Sequence, residues 1–486
     1  MSTLVWLRID LRIADNPALQ AALRTGGPVI PVFLYAPEEE GAWAPGGASR
    51  WWLHGCLKSL QADFARLGSR LILRRTQDSL GELRLLARET GAHQVIWNRR
   101  YEPALVARDR GIKCSLQADG LEVASYNAAL LHEPWDIKSK AGGPFQVFTP
   151  FWRHCLNLAD PPEPAPVPRA LEAPARWPRS LALEDLGLEP KIDWAAGLRE
   201  AWTPGSQGAH AALERFIDRA FDDYANGRDR PDQRGTSRLS PYLHFGELGP
   251  REVWHGIRRF ALARGQHSTW RSSQFLTEIG WREFAYHLLF HFPHTPEQPL
   301  REHYRRFPWE KSPENLRAWQ RGQTGYPLVD AGLRQLWHTG WMHNRVRMIV
   351  GSFLVKDLLL PWQDGAAWFW DTLVDADLAS NTLGWQWVAG CGADAAPYFR
   401  VFNPVTQATR FDPQGTYVRE WVPELARLPD KWIQQPWDAP SQVLAAAGVA
   451  LGSSYPQRLV DHAVAREQAL AALASLGKAG PRGSSM

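Results

Sequence analysis

Residues 28–35 read PVIPVFLY, an uncharged run rich in branched and aromatic side chains that is typical of a buried strand. Stretches of helical length, such as residues 50–67 and 79–90, follow in the same part of the chain. Four similar apolar runs surround it: LVWL (4–7), RLILRR (70–75), HQVIW (93–97) and LEVASY (121–126). This alternation of strands and helices predicts an α/β domain over residues 1–130, built on a doubly wound, Rossmann-like parallel sheet.

The pattern changes beyond the predicted sheet. Residues 161–178 contain seven prolines, which neither a helix nor a central strand accommodates. We therefore expect residues 131–206 to be a connector and residues 476–486 to be a flexible tail. Helical spacing predicts an all-α domain over residues 207–475, with candidate helices at 207–225, 250–263, 268–292, 326–338, 341–357 and 364–374.

The composition is that of an ordinary globular protein. Its 486 residues are 44% hydrophobic and 22% charged, which excludes disordered and fibrous classes. No apolar run approaches the ~18 residues that cross a bilayer, and the opening MSTLVWLRIDLRI does not resemble a secretory signal. We expect a cytoplasmic monomer with no membrane partner. The four cysteines, Cys56, Cys114, Cys155 and Cys391, are too dispersed to predict a metal site.

Charge and aromatic content narrow the function further. Lys and Arg number 55 against 51 Asp and Glu, so any nucleic-acid site must be a local basic patch. The chain has 25 tryptophans, more than its 19 phenylalanines or 11 tyrosines. A surplus of indoles suits flat-ligand stacking, redox relay or nucleic-acid contact, although core packing explains most tryptophans in proteins.

The segment GTSRLS (235–240) combines small hydroxyl residues with backbone N–H groups that follow a glycine. Phosphate recognition needs both features. An ordinary helix cap has the same pattern, so both interpretations stay open at this point.

The segment FLTEIGWREFAYHLLFHFP (275–293) places Glu278, Trp281 and Arg282 at positions i, i+3 and i+4 of a predicted helix. All three side chains then share one helical face. An acid beside an aromatic plane and a cation can hold a flat polar heterocycle, and an internal Glu278–Arg282 pair is the alternative.

Two further segments carry clustered polar groups. Residues 325–348 end in Asn344, Arg345, Arg347 and Met348, where one arginine can meet phosphate and the other an acid, or both can line a solvated face. Residues 374–404 contain Asp375, Asp377 and Asn381 without the spacing of a calcium loop. Two acids, an amide and nearby tryptophans suit a planar cofactor, and helix caps with core aromatics are the alternative.

Together these residues resemble the photolyase/cryptochrome flavoprotein family. The resemblance runs from LVWLRIDLRIADNPAL (4–19) to VREWVPEL (418–425). Its strings are GTSRLSPYLHFGEL (235–248), EIGWREF (278–284), TGWMHNRVRM (339–348), DADLASN (375–381), GWQW (384–387) and DAAPYFRVFNP (394–404). It implies an N-terminal α/β antenna domain and an all-α domain that binds FAD.

The resemblance also implies which residues hold the flavin. The FAD phosphates would be held by Tyr224, Thr236, Ser237, Arg238, Leu239 and Ser240. The isoalloxazine would be surrounded by Arg347, Asp375, Asp377 and Asn381, with Asn381 facing N5, where an amide can stabilise reduced flavin. Electrons would reach the flavin through Trp385, Trp362 and Trp309, in that order from the flavin to solvent.

The lesion pocket favours repair of cyclobutane pyrimidine dimers. Members with that activity carry Glu, Trp, Asn, Met and a second Trp, which are present here as Glu278, Trp281, Asn344, Met348 and Trp387. The (6-4) enzymes have His at the position of Asn344, and plant-type cryptochromes generally have Asp at that of Asn381. RQLWHTGWMHN and DADLASNTLGWQW are closer to the bacterial class III group than to class I. DNA would be contacted by Arg228, Arg282, Arg345 and Arg400.

The implied reaction is light-dependent. The damaged pair flips out of DNA into the pocket, stacks on Trp281 and Trp387, and is split after electron transfer from photoexcited reduced FAD. Glu278 and Asn344 would hydrogen-bond the dimer. Tyr101-Glu102 resembles the acidic position that holds methenyltetrahydrofolate, which we favour as antenna, and a deazaflavin or an empty site is the alternative. A blue-light receptor without repair is the alternative, as is a non-catalytic Trp-rich nucleic-acid module, which would purify without yellow colour.

Overall fold

The structure is a computed structural model that describes residues 2–266, 269–394 and 399–478. This part of the chain forms two compact units. The first unit consists of Met1–Phe221, Ser237–Pro293 and Val374–Ala379, and the second of Asp222–Thr236, His294–Leu373 and Ser380–Met486. Each unit joins segments that are distant in sequence, so the units do not coincide with the predicted domains, whose boundaries stay a prediction. Residues 479–486 of the predicted tail lie outside the described residues.

The first unit contains a five-stranded parallel sheet in the order β3-β2-β1-β4-β5. The strands are β1 (Ser2–Leu7), β2 (Val29–Tyr35), β3 (Ile72–Arg75), β4 (Ala92–Asn98) and β5 (Glu122–Tyr126). This order, with β1 in the middle and crossovers on both sides, is that of a doubly wound fold. The predicted α/β class and all five predicted strands are therefore confirmed.

β2 is apolar along its whole length and β1 and β4 are apolar in their middle, as expected for strands of a parallel sheet that is covered on both faces. Leu4 of β1 lies opposite Ile30 of β2 and Val95 of β4, and all three are fully buried. Pro31 is tolerated inside β2 because it pairs only with Val5, before the pairing with β3 begins at Val32.

Among the described residues, every regular element after β5 is helical. In chain order the α-helices are α1 (Pro17–Thr25), α2 (Gly47–Arg66), α3 (Ser79–Thr90), α4 (Pro103–Ala118), α5 (Phe148–Leu156), α6 (Ala196–Ala201), α7 (Ser206–Arg219), α8 (Tyr224–Gly227), α9 (Ser240–His244), α10 (Pro250–Ala263), α11 (Gln274–His291), α12 (Pro313–Gln320), α13 (Pro327–Thr339), α14 (Asn344–Ser352), α15 (Trp362–Thr372), α16 (Leu378–Ala389), α17 (Pro404–Phe411), α18 (Thr416–Trp421), α19 (Asp430–Ile433), α20 (Ser441–Ala447) and α21 (His462–Lys478). In this part of the chain, no helix is both long and apolar enough to span a membrane.

The six predicted helices correspond to α7, α10, α11, α13, α14 and α15, with boundary shifts of a few residues. The predicted helix over 341–357 changes character at Phe353, where a π-helical turn (Phe353–Asp357) follows α14. The proline-rich stretch 161–178 has no regular element, as expected. The stretch predicted to be a connector also contains α5 and α6, and α5 packs on α11 of the first unit.

The side-chain carboxyl group of Glu247 in the first unit is fully buried. Glu247 accepts hydrogen bonds from the indole N–H of Trp52 at 2.9 Å and from the backbone N–H of Gly205, and its Oε1 lies 2.9 Å from the Cys56 sulfur. None of these neighbours is a cation. Burial therefore raises the pKa of Glu247 from 4.5 to about 7.

We expect Glu247→Gln to flatten the pH dependence of stability. Above about pH 4.5 the unfolded chain loses the proton that folded Glu247 keeps, so the free energy of unfolding falls until the folded pKa near 7 is passed. The shift corresponds to about 3 kcal/mol between pH 4.5 and pH 8. Urea unfolding at both pH values measures it, with the exposed Glu214→Gln as control. If the free energy of unfolding changed by the same amount between the two pH values in wild type and in Glu247→Gln, this assignment would be contradicted.

Candidate functional site

In the first unit, the predicted phosphate-binding turn lies beside one of the predicted flavin-binding acids. Ser240 begins α9, and its hydroxyl donates to Asp375 at 2.6 Å although the two are 135 residues apart. Arg238 has a positive φ of 53°, and its guanidinium lies 4.2 Å from the Trp202 ring centroid. Leu239 is buried and anchors the turn. The fold thus brings residues 237–240 and Asp375 to one place.

Asp377 is the second acid of this group, and it is buried as an anion. It accepts a hydrogen bond from the Tyr286 hydroxyl and one from His244 Nδ1 at 3.3 Å. Burial alone would raise the pKa of Asp377, but the hydrogen bond and charge of His244, together with Arg282 and Tyr286, hold it well below its ordinary value. A permanent negative charge in this setting can accept hydrogen bonds from a ligand's imide or hydroxyl groups.

The three residues predicted to share a face of α11 have different partners. Glu278 is half-buried and accepts a hydrogen bond from the Gln274 side chain at 2.8 Å. Arg282 donates to the Ala129 carbonyl at 2.6 Å and lies over the Tyr286 ring. Trp281 is half-buried, with its ring stacked on another aromatic ring of the same unit. Arg282 is therefore held by the protein itself, and its role in binding DNA stays a prediction.

In the second unit, the backbone at Gly235, just before Thr236, passes very close to the backbone at Gly227. A Cβ at Gly235 would lie 2.4 Å from the Gly227 carbonyl oxygen, so the backbone can pass here only without a side chain. Gly227 ends α8, the helix that begins with Tyr224. The close passage holds Thr236 near α8, so two of the predicted phosphate-binding residues share this part of the second unit.

The start of α14 presents three of the predicted residues. His343 caps the helix, and its Nδ1 accepts from the Arg345 backbone N–H at 3.2 Å. Burial lowers the pKa of His343 to about 4, so the ring is neutral and can accept this bond. Asn344 is exposed, and Arg347 donates to the Met342 carbonyl at 2.7 Å.

Two of the arginines predicted to contact DNA lie close to the carboxylate of Asp229. The guanidinium of Arg345 donates to Asp229 at 2.7 Å and lies 3.8 Å from the Met348 sulfur. Arg228 approaches the same carboxylate at 3.9 Å and lies over the Tyr224 ring. Asp229 therefore compensates part of the positive charge that these two arginines carry.

The three predicted relay tryptophans differ in exposure. Trp385 and Trp362 are 3% and 1% exposed, whereas Trp309 is half-buried and lies against Phe307. Trp385 packs on the backbone of α15, because a Cβ at Gly365 would lie 2.1 Å from its ring. Its aromatic neighbours include Trp319 and Phe369, at centroid distances of 6.2 and 5.0 Å. The order of electron transfer stays a prediction.

The remaining predicted residues of the second unit lie on or after α16. Asn381 donates its side-chain N–H to the Ala366 carbonyl at 3.1 Å, which fixes the orientation of the amide. Trp387 is half-buried. The carbonyl of Arg400 accepts from the buried Lys356 ammonium at 3.1 Å. Residues 395–398, in the string that precedes Arg400, lie outside the described residues.

Comparison with known proteins decides the family. Residues 275–475 match the FAD binding domain of DNA photolyase, and residues 3–169 match DNA photolyase. The chain is 50% identical to the deoxyribodipyrimidine photo-lyase of Agrobacterium fabrum, over 98% of both chains. The chain belongs to the photolyase/cryptochrome family.

Other members of the photolyase/cryptochrome family bear on two further predictions, the likeness to class III and the choice between a lyase and a light receptor. A bacterial class III photolyase from Agrobacterium tumefaciens superimposes with a TM-score of 0.94 at 50% identity, covering 98% of both chains. Cryptochrome-2 of Arabidopsis thaliana is 45% identical over 96% of this chain and 77% of its own. The predicted family, fold class and class III likeness are confirmed, and the deoxyribodipyrimidine photo-lyase relatives support the lyase over the light receptor.

The residue predicted for the antenna of this photolyase/cryptochrome chain lies just after β4. Glu102 is buried, and both of its carboxylate oxygens lie 3.0 Å from Arg100 Nε. The backbone N–H of Tyr101 donates to it at 3.0 Å. Burial alone would raise the pKa of Glu102, but the Arg100 guanidinium outweighs it and keeps the pKa below its ordinary value. Glu102 is therefore an anion, and its negative charge is paired with Arg100.

Sequence reasoning missed the residue that packs on Trp281. Phe148 begins α5, inside the stretch predicted to be a connector, and its ring lies parallel to the Trp281 indole. The run FTPFWRHCL, with aromatic residues at 148, 151 and 152, was the available signal for an amphipathic helix.

Proposed function

We propose that this protein is a light-driven lyase that splits cyclobutane pyrimidine dimers in DNA, with FAD as its cofactor. The observation that carries the proposal is the group of residues assigned to binding the pyrimidine dimer. All five residues that the resemblance assigns to dimer binding are present, and α11 places Glu278 one turn from the half-buried Trp281. The full-length similarity to photolyases supports the same conclusion.

The residues proposed to hold FAD fit its chemistry. Ser237, Ser240 and Thr236 supply hydroxyl donors for phosphate, and Arg238 supplies a positive charge. Asp377 is an anion that suits imide or hydroxyl donors, and the amide of Asn381 is held by Ala366. FAD, when bound and reduced, supplies the electron that light makes available. The protein binds and orients it with these side chains.

The lesion residues have separate tasks in this proposal. Trp281 and Trp387 offer indole faces on which the flipped pyrimidines stack, at about 1–3 kcal/mol per base. Glu278, oriented by its hydrogen bond from Gln274, accepts a hydrogen bond from the pyrimidine imide N–H and so positions the dimer. Asn344, exposed at the start of α14, adds a neutral hydrogen bond.

Phosphate contacts come from Arg228, Arg345 and Arg400 in this proposal. Asp229 already compensates part of the charge of Arg228 and Arg345. Both arginines can exchange this carboxylate for a DNA phosphate, at the cost of leaving Asp229 near the phosphate backbone. The binding of undamaged DNA should therefore be weak and salt-dependent, so specificity must come from the flipped lesion.

Light-dependent repair by reduced protein is the expected result for a duplex oligonucleotide with one cyclobutane thymine dimer. Glu278→Ala should lower the repair yield by about tenfold, since a charged hydrogen bond of ~1.5–3 kcal/mol is lost, while FAD stays bound. The exposed Glu214→Ala is the control. Unchanged repair by Glu278→Ala would remove this residue from the mechanism.

A blue-light receptor is the second candidate, because the chain is 45% identical to a plant cryptochrome. A protein that is yellow and photoreducible but never repairs the oligonucleotide would support the receptor. For the antenna, we propose methenyltetrahydrofolate with Glu102 at its site, supported by the Tyr101-Glu102 resemblance. Mass and fluorescence of the chromophore released by denaturation distinguish it from a deazaflavin.

A further inference from the structure

Within the first unit, the indole of Trp281 is stacked on Phe148. The two ring centroids are 3.8 Å apart and the planes differ by 9°, which is van der Waals stacking over the ring face. Phe284 meets both rings edge-on, at 5.9 Å from each. Trp281 is thus held by a parallel ring on one face and a perpendicular ring at its side.

The backbone of the two helices explains why the stack is so close. Trp152, one turn after Phe148 on α5, lies against Gly280, where a Cβ would be 2.5 Å from its ring. Any residue other than glycine would push α5 away from α11. Gly280 therefore allows α5 to approach the segment that carries Trp281, and the approach places Phe148 on the indole.

This arrangement limits how a ligand can meet Trp281. Phe148 is 7% exposed and occupies one face of the indole, so a planar ligand has only the other face and the outer edge. A tryptophan held in one orientation has already lost the rotamer freedom that binding would otherwise remove. The stack prepares one flat, apolar surface before any ligand arrives.

We propose that Phe148 is a positioning residue for lesion recognition, acting through Trp281. It sets the plane against which the flipped pyrimidine dimer stacks, and it restricts stacking to a single face. This inference rests on the proposed function, because it assigns a task to a residue behind the lesion pocket. Phe148 itself touches neither the dimer nor the flavin in this scheme.

The test compares the affinities for two oligonucleotides of one sequence, with and without a thymine dimer. Phe148→Leu keeps an apolar side chain but removes the parallel ring, and it should weaken binding of the damaged strand about three- to tenfold. Binding of the undamaged strand and the FAD content should not change. Phe148→Tyr keeps the ring and should restore the affinity for damaged DNA.

Phe151→Leu is the matched control. Phe151 is on the same helix, is 2% exposed and packs on Phe284 and His287, so its loss loosens the α5–α11 contact without removing the ring on Trp281. It should bind damaged DNA as wild type does. In a Trp281→Leu background, Phe148→Leu should have no further effect on affinity, because the residue through which it acts is gone.

The outcomes separate this inference from the proposed function. Wild type that binds both oligonucleotides equally and does not repair the damaged one under light would contradict the proposed function. Wild type that prefers damaged DNA, with Phe148→Leu and Phe151→Leu equally weakened, would assign Phe148 to packing alone and overturn the inference. Additive losses from Phe148→Leu and Trp281→Leu would also overturn it.

Discussion

Asp377→Ala should purify with little or no bound FAD and should show no light-dependent repair. The carboxylate is a buried anion that accepts from Tyr286 and His244, and the substitution removes both the charge offered to the flavin and the acceptor for two buried donors. Losing a charged hydrogen bond of ~1.5–3 kcal/mol lowers affinity about tenfold or more. The ratio of flavin to protein absorbance in the purified protein measures the loss.

A matched control separates flavin binding from folding in this experiment. Asp357 is also fully buried and is paired with a histidine, since its carboxylate lies 2.5 Å from His462 Nδ1 in the second unit. Asp357→Ala breaks a similar pair that has no proposed part in flavin binding. It should lower the melting temperature and keep its FAD. Full flavin content in folded Asp377→Ala would exclude this carboxylate from the cofactor site.

Trp385→Phe should block photoreduction of oxidised FAD and leave repair by chemically reduced protein intact. Phenylalanine fills most of the space beside Gly365 and Phe369 but is much harder to oxidise than an indole. A barrier only ~1.4 kcal/mol higher slows a step about tenfold, so photoreduction should fall by at least that factor. Absorbance at the flavin band under blue light, with an external reductant, gives the rate.

The control is a tryptophan outside the proposed route. Trp254 of the first unit is 3% exposed, as Trp385 is, and its indole N–H likewise has no hydrogen-bond partner among the described residues. Trp254→Phe should be photoreduced at the wild-type rate. Normal photoreduction of Trp385→Phe would show that electrons reach the flavin by another route, for which Trp319→Phe is the next variant.

The sequence predicted the elements well where the signal was local. All five strands and the six candidate helices occur, because buried strands and amphipathic helices are marked by the periodicity of consecutive residues. The stretch predicted to be a connector contains local structure that no pattern predicted. Its prolines at 161–178 lie outside regular elements, as expected, whereas Phe148–Leu156 forms a short helix. Nine residues give a weak periodic signal, and the packing of α5 on α11 stabilises this helix.

In the candidate site, too, some features were predictable from the sequence and others were not. Motif strings predicted that Ser240, Asp375 and Asp377 belong to one cofactor site, and the structure brings them together in the first unit. The partners of these residues were not predictable. Neither the bond between Arg345 and Asp229 nor the stack of Phe148 on Trp281 has a signal in the order of residues.

The sequence by itself determined the family and the α/β and helical parts of the chain, and it predicted which residues a flavin and a pyrimidine dimer would contact. These features are read from neighbouring residues, whose spacing and type record local structure and chemistry. Only the tertiary structure decided which acid is held by which donor and which ring covers Trp281. Such pairs depend on helices that meet far apart in sequence, at distances that close packing sets and that no local pattern encodes.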